Sequence, residues 1–185
     1  MTAASPMPIE PDTIVWEASA LLHACRCDRA DVLLYLADAL APTPIRHVTT
    51  AAVAEELQRR QVTLPARMEV VHVDGLDELV ALAAWVQRLS SSQHDRGEST
   101  VCAWAEVHAA LAVIDDRAAR IAARQAGLDI HGTAWVIAQA VNRGREAPSG
   151  ATALLDTLIL DGARYPFRTG SFATWAKDKG LLTSP

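Results

Sequence analysis

Four stretches of this chain carry acidic side chains at points where one structural pattern gives way to another. Glu17 separates "TIVW" from "ASALL", Glu55 and Glu56 lie within "AVAEELQRR", and Glu98 follows the polar run "SSSQHDRG". Asp115 and Asp116 close "LAVI" before the basic, alanine-rich "RAARIAARQ". Carboxylates gathered in one place repel one another, which raises their pKa values or costs stability unless a counter-charge is present. A hard divalent cation resolves that conflict, and an oxygen-only ligand set suits Mg²⁺ or Mn²⁺ rather than zinc. Such ions can bind a phosphate, generate a hydroxide nucleophile and stabilise a leaving oxygen, so phosphodiester hydrolysis is the natural chemistry.

Each acid also has a plainer reading. Glu98 at a helix start complements the macrodipole. Glu55 and Glu56 form a solvated face with Arg59 and Arg60 one turn on, and since they point about 100° apart around the helix, at most one of them faces a shared site. One of Asp115 and Asp116 caps the following helix by accepting from its free N–H groups. Glu17 is harder to dismiss, because it interrupts an otherwise apolar passage.

The elements between the acids decide whether they meet. "TIVW" (13–16) reads as a short buried strand, followed by a turn at "EAS" and a helix through "ALLHACR". Asp28 is placed to cap the helix "RADVLLYLADAL", which "APTP" stops. "IRHVT" is a second strand, with Thr49 or Thr50 capping the helix "AAVAEELQRR". "MEVVHV" (68–73) is a third strand, broken by Asp74 and Gly75 before the helix "LDELVALAAWVQRL". The run 90–97 reads as a polar loop, Glu98 opens the helix "ESTVCAWAEVHAA", and "LAVI" is a fourth strand. Beyond the paired aspartates, a helix ends at Gly127, "LDIHG" adds a short strand, and a further helix ends at Gly144. The rest reads as helices broken around "GARYPFRTG". Strands alternating with helices imply βαβ units and a mainly parallel sheet covered on both faces. In such sheets ligands bind outside the C-terminal strand ends, near the topological switch point. Glu17 and the Asp115–Asp116 pair directly follow strands, so both fall at that edge, with Glu98 and one of Glu55 and Glu56 within reach.

Composition narrows the classes. A chain of 185 residues, half of them hydrophobic, suffices for one domain with a substantial core. The organisation expected is a flexible N-terminus over 1–11, an α/β domain over 12–145 and a C-terminal helical extension over 146–185 packed on the same domain. A formal net charge of −5 gives no global attraction to polyanions, which disfavours a simple nucleic-acid binder without excluding a nuclease. No leader pattern is present and no apolar run approaches the roughly 18 residues that span a bilayer, so no membrane association and a cytoplasmic location are expected. Cys25, Cys27 and Cys102 lack CxxC spacing, which argues against disulfides. His23 alternates with Cys25 and Cys27, but no second ligand pair follows, so these read as core and helix-surface positions. Trp16, Trp85, Trp104 and Trp135 read as core.

The same residues resemble the motifs of PIN domains. "TIVWEASALL" is similar to the family's first strand, where an Asp, a small residue and Ser or Thr usually follow the apolar run; "AVAEEL" resembles its second acidic motif, "GESTVCAWA" its third, and "AVIDDRAARIAARQAGLDIHGTAWVI" its fourth in a VapC-like branch. The likeness covers about residues 12 to 160. It implies a three-layer α/β/α sandwich with a central parallel sheet, and a Mg²⁺- or Mn²⁺-dependent endoribonuclease, often the toxin of a toxin–antitoxin pair. Carried over residue by residue, Glu17, Glu56, Glu98 and Asp116 take the four acidic positions as catalytic metal ligands, with Asp115 as an alternative or outer ligand. RNA is then the substrate; an antitoxin-like protein and a second copy of the chain are partners the family implies. Arg117, Arg120 and Arg124 fall on one helix face and are candidates for holding RNA, against the reading of a solvated face. Glu17 stands where the family usually has Asp, and its extra methylene moves the carboxylate by roughly 1.5 Å. That departure supplies the alternative, a degenerate PIN-like module that binds a protein or nucleic acid without hydrolysing it.

Overall fold

The computed structural model describes residues 10–89 and 96–183. The expected N-terminal tail lies outside the described residues apart from Glu10 and Pro11, as does the polar run 90–97 apart from Arg96 and Gly97. Five strands, β1 (Thr13–Trp16), β2 (Arg46–Thr50), β3 (Glu69–Val71), β4 (Leu111–Val113) and β5 (Ile130–His131), form one sheet in the order β3-β2-β1-β4-β5. Every pairing is parallel. Among the described residues the helices are α1 (Ala18–Arg26), α2 (Ala30–Ala37), α3 (Ala51–Arg59), α4 (Leu76–Leu89), α5 (Arg96–His108), α6 (Arg117–Gln125), α7 (Thr133–Asn142), α8 (Pro148–Leu160) and α9 (Phe172–Asp178). They cover both faces of the sheet, giving the three-layer α/β/α sandwich that alternating strands and helices imply. No described helix is long and apolar enough to cross a membrane.

The chain winds from β1 through β2 to β3 on one side, then returns to the far side of β1 for β4 and β5. The reversal falls between β1 and β4, whose register pairs Trp16 with Val113. Ile14, Val15 and Trp16 are fully buried, as sandwiched parallel strands require. The Trp16 indole donates from Nε1 to His47 Nδ1 at 3.1 Å, and His47 Nε2 lies 2.9 Å from the Asp38 carboxylate, which Arg67 pairs from outside at 2.8 Å. Nδ1 is thus the acceptor and Nε2–H the donor, and burial pushes the imidazole pKa down, keeping it neutral. His47→Ala will orphan the indole N–H inside the core and is expected to cost roughly 2–3 kcal/mol, read as a lower denaturation midpoint at unchanged m-value.

Three local expectations are corrected. Asp28 does not cap α2: the N-cap is Arg29, which makes no side-chain cap bond, and Asp28 has φ +53° in the tight turn between α1 and α2. The tightness of that reversal, closed by Arg29 N–H to Ala24 C=O at 2.7 Å, needs a residue tolerant of the left-handed region, and Asp is one. No turn precedes α1, because Glu17 itself is the cap and the helix begins at Ala18. The third strand is only Glu69–Val71: its register ends with Val71 against Thr50, where β2 becomes α3 and His72 and Val73 lose their ladder.

Candidate active site

The carboxyl ends of β1 and β4 carry the first acids. Glu17 N–H donates to Val113 C=O at 3.0 Å, continuing the β1–β4 pairing one residue past the strand. The Glu17 side chain folds back over α1, accepting from Ser19 N–H at 2.7 Å and from the Ser19 hydroxyl. Ser19 Oγ in turn accepts from Asp115 N–H at 3.0 Å, so one serine ties the end of β1 to the end of β4. Glu17 is 5% exposed. Burial pushes its pKa up to about 7; the Ser19 bonds pull it down and the charge of Glu56 pushes it up.

Glu56 reaches the same space from α3. Glu55 is exposed, whereas Glu56 is half-buried and held by Arg60 at 3.0 Å. A methyl group built on Gly97 would touch Glu56 Oε2 at 3.4 Å and Glu17 Oε1 at 3.7 Å, so this glycine of α5 lies against both carboxylates. The first turn of α5 is anchored by the Thr100 hydroxyl, which lies 2.8 Å from Thr50 Oγ1 and donates to Gly97 C=O at 2.8 Å. That anchor sets the position of Glu98. Gly97 reads as loop from sequence but is helical, because α5 starts at Arg96.

The paired aspartates divide their work. The cap of α6 is Asp116, which accepts from Ala119 N–H at 2.8 Å. Asp115 turns inward, accepting from Thr133 N–H at 2.7 Å, with Arg120 at 4.0 Å and the Tyr165 hydroxyl nearby. Burial raises the Asp115 pKa against the lowering pull of Thr133 and Arg120. The expected face of Arg117, Arg120 and Arg124 is split: Arg120 donates to Ile114 C=O at 2.7 Å and Arg124 to Ile130 C=O, while Arg117 stays exposed. Helix α6 uses two of its three arginines to hold strand-end carbonyls.

Glu17, Glu56, Glu98, Asp115 and Asp116 line one open cleft of about 390 Å³, together with Arg60, His23 and Arg164. Among the described residues no three His, Cys, Asp or Glu side chains stand close enough to hold one ion: the acids ring the cleft and do not converge on a point. The donor set itself fits a hard divalent cation, since carboxylate oxygens surround the cleft and like charge contributes to the raised pKa of Glu17.

A protein-family model described as PIN domain matches residues 14–170. The chain belongs to the PIN-domain family. No curated protein and no solved structure matches it. PIN domains are generally nucleases, hydrolases that use divalent metal ions.

Several neighbours of this PIN domain's acids escape a reading by acid type alone. Ser19 had a signal, since it falls at the Ser or Thr of the motif that "TIVWEASALL" resembles. Gly132, which leaves room for the Asp115 carboxylate, and Thr133, whose N–H holds it, lie beyond the next helix and strand and carry no local mark. His23 lines the cleft with Nδ1 at 2.7 Å from Asp161, which Arg26 also pairs at 3.2 Å. That contact spans 138 residues, and no spacing announces it.

Proposed function

We propose that this PIN domain is a metal-dependent endoribonuclease that hydrolyses single-stranded RNA. The observation that supports it most is the convergence on one cleft, at the switch point of a parallel sheet, of acids from four separate segments of the chain. In this reading Glu17, Glu56, Glu98 and Asp116 hold Mg²⁺ or Mn²⁺, and Asp115 orders the cleft wall from behind. The bound ion would supply positive charge at the scissile phosphate and acidify water for attack on phosphorus. The protein's own part is to hold the carboxylates: Ser19 fixes Glu17, Ala119 N–H fixes one oxygen of Asp116, and Arg60 orients Glu56. Arg60 and Arg164, both in the cleft lining, are better placed to meet the phosphates than Arg120 and Arg124, which hold backbone carbonyls.

The resemblance to the VapC-like branch extends this to a cytoplasmic toxin neutralised by an antitoxin-like protein, with a homodimer as the working form. Growth arrest on expression of the wild type, absent for an inactive variant, tests the toxin role. The second reading, an inactive module that only binds, draws support from Glu17 and Asp116 both being engaged by backbone N–H groups. Titration calorimetry with Mn²⁺ separates the two. The nuclease reading expects binding that Asp116→Asn weakens roughly 10- to 100-fold, with cleavage of single-stranded RNA falling in step. Equal cleavage by wild type and Asp116→Asn, or no Mn²⁺ uptake by the wild type, would sink the assignment.

A further inference from the structure

The acidic cleft shares lining residues with two others. Toward α3 it shares Glu56 and Arg60 with a cleft of about 340 Å³ whose lining includes Arg59 and Arg96. Toward α7 and α9 it shares Asp115 and Arg164 with a cleft of about 280 Å³. Two parts of the chain build this last one: Trp135 on α7, and, about thirty residues on, Tyr165 in the connection after α8 with Trp175 and Lys179 at and just beyond α9. Arg120 and Arg124 close its floor, held there by their bonds to strand-end carbonyls. Among the described residues of its lining Asp115 is the one acid, and its carboxylate is tied to Thr133 N–H.

The three aromatic rings are half-buried. Trp135 stacks on His131 with ring centres 3.5 Å apart, and Trp175 leans on Phe167 at 4.8 Å. These contacts brace the indoles, and both rings line the cleft. Aromatic faces among cations are the combination that holds unstacked bases and the phosphates between them. Its lining carries Arg120, Arg124, Arg164 and Lys179 against Asp115, so the local charge is opposite to the chain's net −5 and complements a polyanion. The volume of about 280 Å³ falls just below the roughly 300–1,000 Å³ of whole-ligand pockets and suits one unit of a polymer.

We propose that the cleft between α7 and α9 is a nucleotide subsite: a base of the RNA strand stacks on Trp135, Tyr165 or Trp175 while Arg164 and Lys179 hold its flanking phosphates. The strand then crosses the acids and leaves over Arg59, Arg60 and Arg96. This rests on the nuclease reading, which supplies the strand. It adds a direction: base recognition belongs to the α7–α9 side, and the α3 side, which has no aromatic residue among the described residues of its lining, holds backbone alone.

The test is binding without cleavage. A short fluorescein-labelled oligouridylate is titrated in EDTA and followed by anisotropy, against wild type, Arg164→Glu and Lys179→Glu. Both substituted side chains are exposed, so the fold is expected to survive. Each variant is expected to weaken binding about tenfold and to reduce the salt dependence of the affinity by about one phosphate contact. Photocrosslinking of a bromouridine-substituted strand is expected to mark a peptide containing Trp135, Tyr165 or Trp175. Wild-type affinity in both variants, or crosslinks confined to α3, overturns the subsite. Failure of the nuclease reading looks different: a protein that binds in this way yet cleaves no RNA with Mg²⁺ or Mn²⁺ refutes the activity and leaves the subsite standing. A protein that cleaves while both variants bind normally does the reverse.

Discussion

Glu17→Gln will make the metal-free protein more stable above pH 7 while reducing RNA cleavage by roughly a hundredfold or more. The two effects have one origin. Glu17 is buried at the end of β1 beside Glu56, and its pKa stands at about 7, against 4.5 for a free side chain. Below pH 4.5 the carboxyl is protonated in both folded and unfolded chains and contributes no pH dependence. Between 4.5 and 7 the unfolded chain releases the proton and the folded chain retains it, so stability falls as the pH rises. Above 7 the folded protein carries the buried charge, and the full penalty, on the order of 3 kcal/mol, persists. Gln cannot ionise, and its carbonyl can still accept from Ser19 N–H. Thermal melts of the two proteins should therefore diverge with rising pH and meet near pH 4.5. Added Mn²⁺ should raise the wild-type melting temperature more at pH 8 than at pH 6, because ion and proton compete for the same oxygens. The variant should respond far less. Parallel pH profiles for the two proteins would mean that Glu17 does not carry the buried charge.

Gly132→Ala will unsettle the β4 end of the cleft from behind and is expected to destabilise the protein by about 2 kcal/mol. Gly132 has φ −103°, which any residue adopts, so the obstacle is space and not backbone strain. A Cβ there would lie 2.9 Å from Asp115 Oδ1 and 3.1 Å from Arg120 Nη1. The Asp115 carboxylate is held against the backbone by its 2.7 Å bond from Thr133 N–H, and Arg120 by its 2.7 Å bond to Ile114 C=O, so neither swings away without orphaning a buried group. Since Asp115 N–H also donates to Ser19 Oγ, the disturbance should reach Glu17. The measurable result is a lower denaturation midpoint together with reduced cleavage. Asp115→Asn, which keeps an acceptor for Thr133 N–H, should cost less stability than Gly132→Ala. An unchanged midpoint in Gly132→Ala would show that the β4 end is softer than its contacts imply.

The sequence by itself determined the layers of this fold. Buried apolar runs such as "TIVW" and "LAVI" are short enough to be strands, and amphipathic stretches between them are long enough to be crossovers, so a parallel sandwich follows from periodicity and chain geometry. It also determined that Glu17 and the Asp115–Asp116 pair lie at strand ends, because an acid directly after a buried strand can sit only at the sheet's edge. Which side chain of each pair faces which partner was decided by tertiary structure. Asp116 caps α6 and Asp115 turns inward because Thr133 N–H waits behind it, and Thr133 starts α7, beyond the next helix and strand, where only the fold brings it to Asp115. Arg120 and Arg124 match a solvated basic face in the sequence, yet bind carbonyls at the ends of β4 and β5, since strand-end acceptors are invisible to helical periodicity. The raised pKa of Glu17 likewise depends on burial and on the approach of Glu56 across Gly97, contacts between α1, α3 and α5 that no local pattern encodes. Periodicity reports which face of an element is covered; the chemistry of a site depends on what covers it.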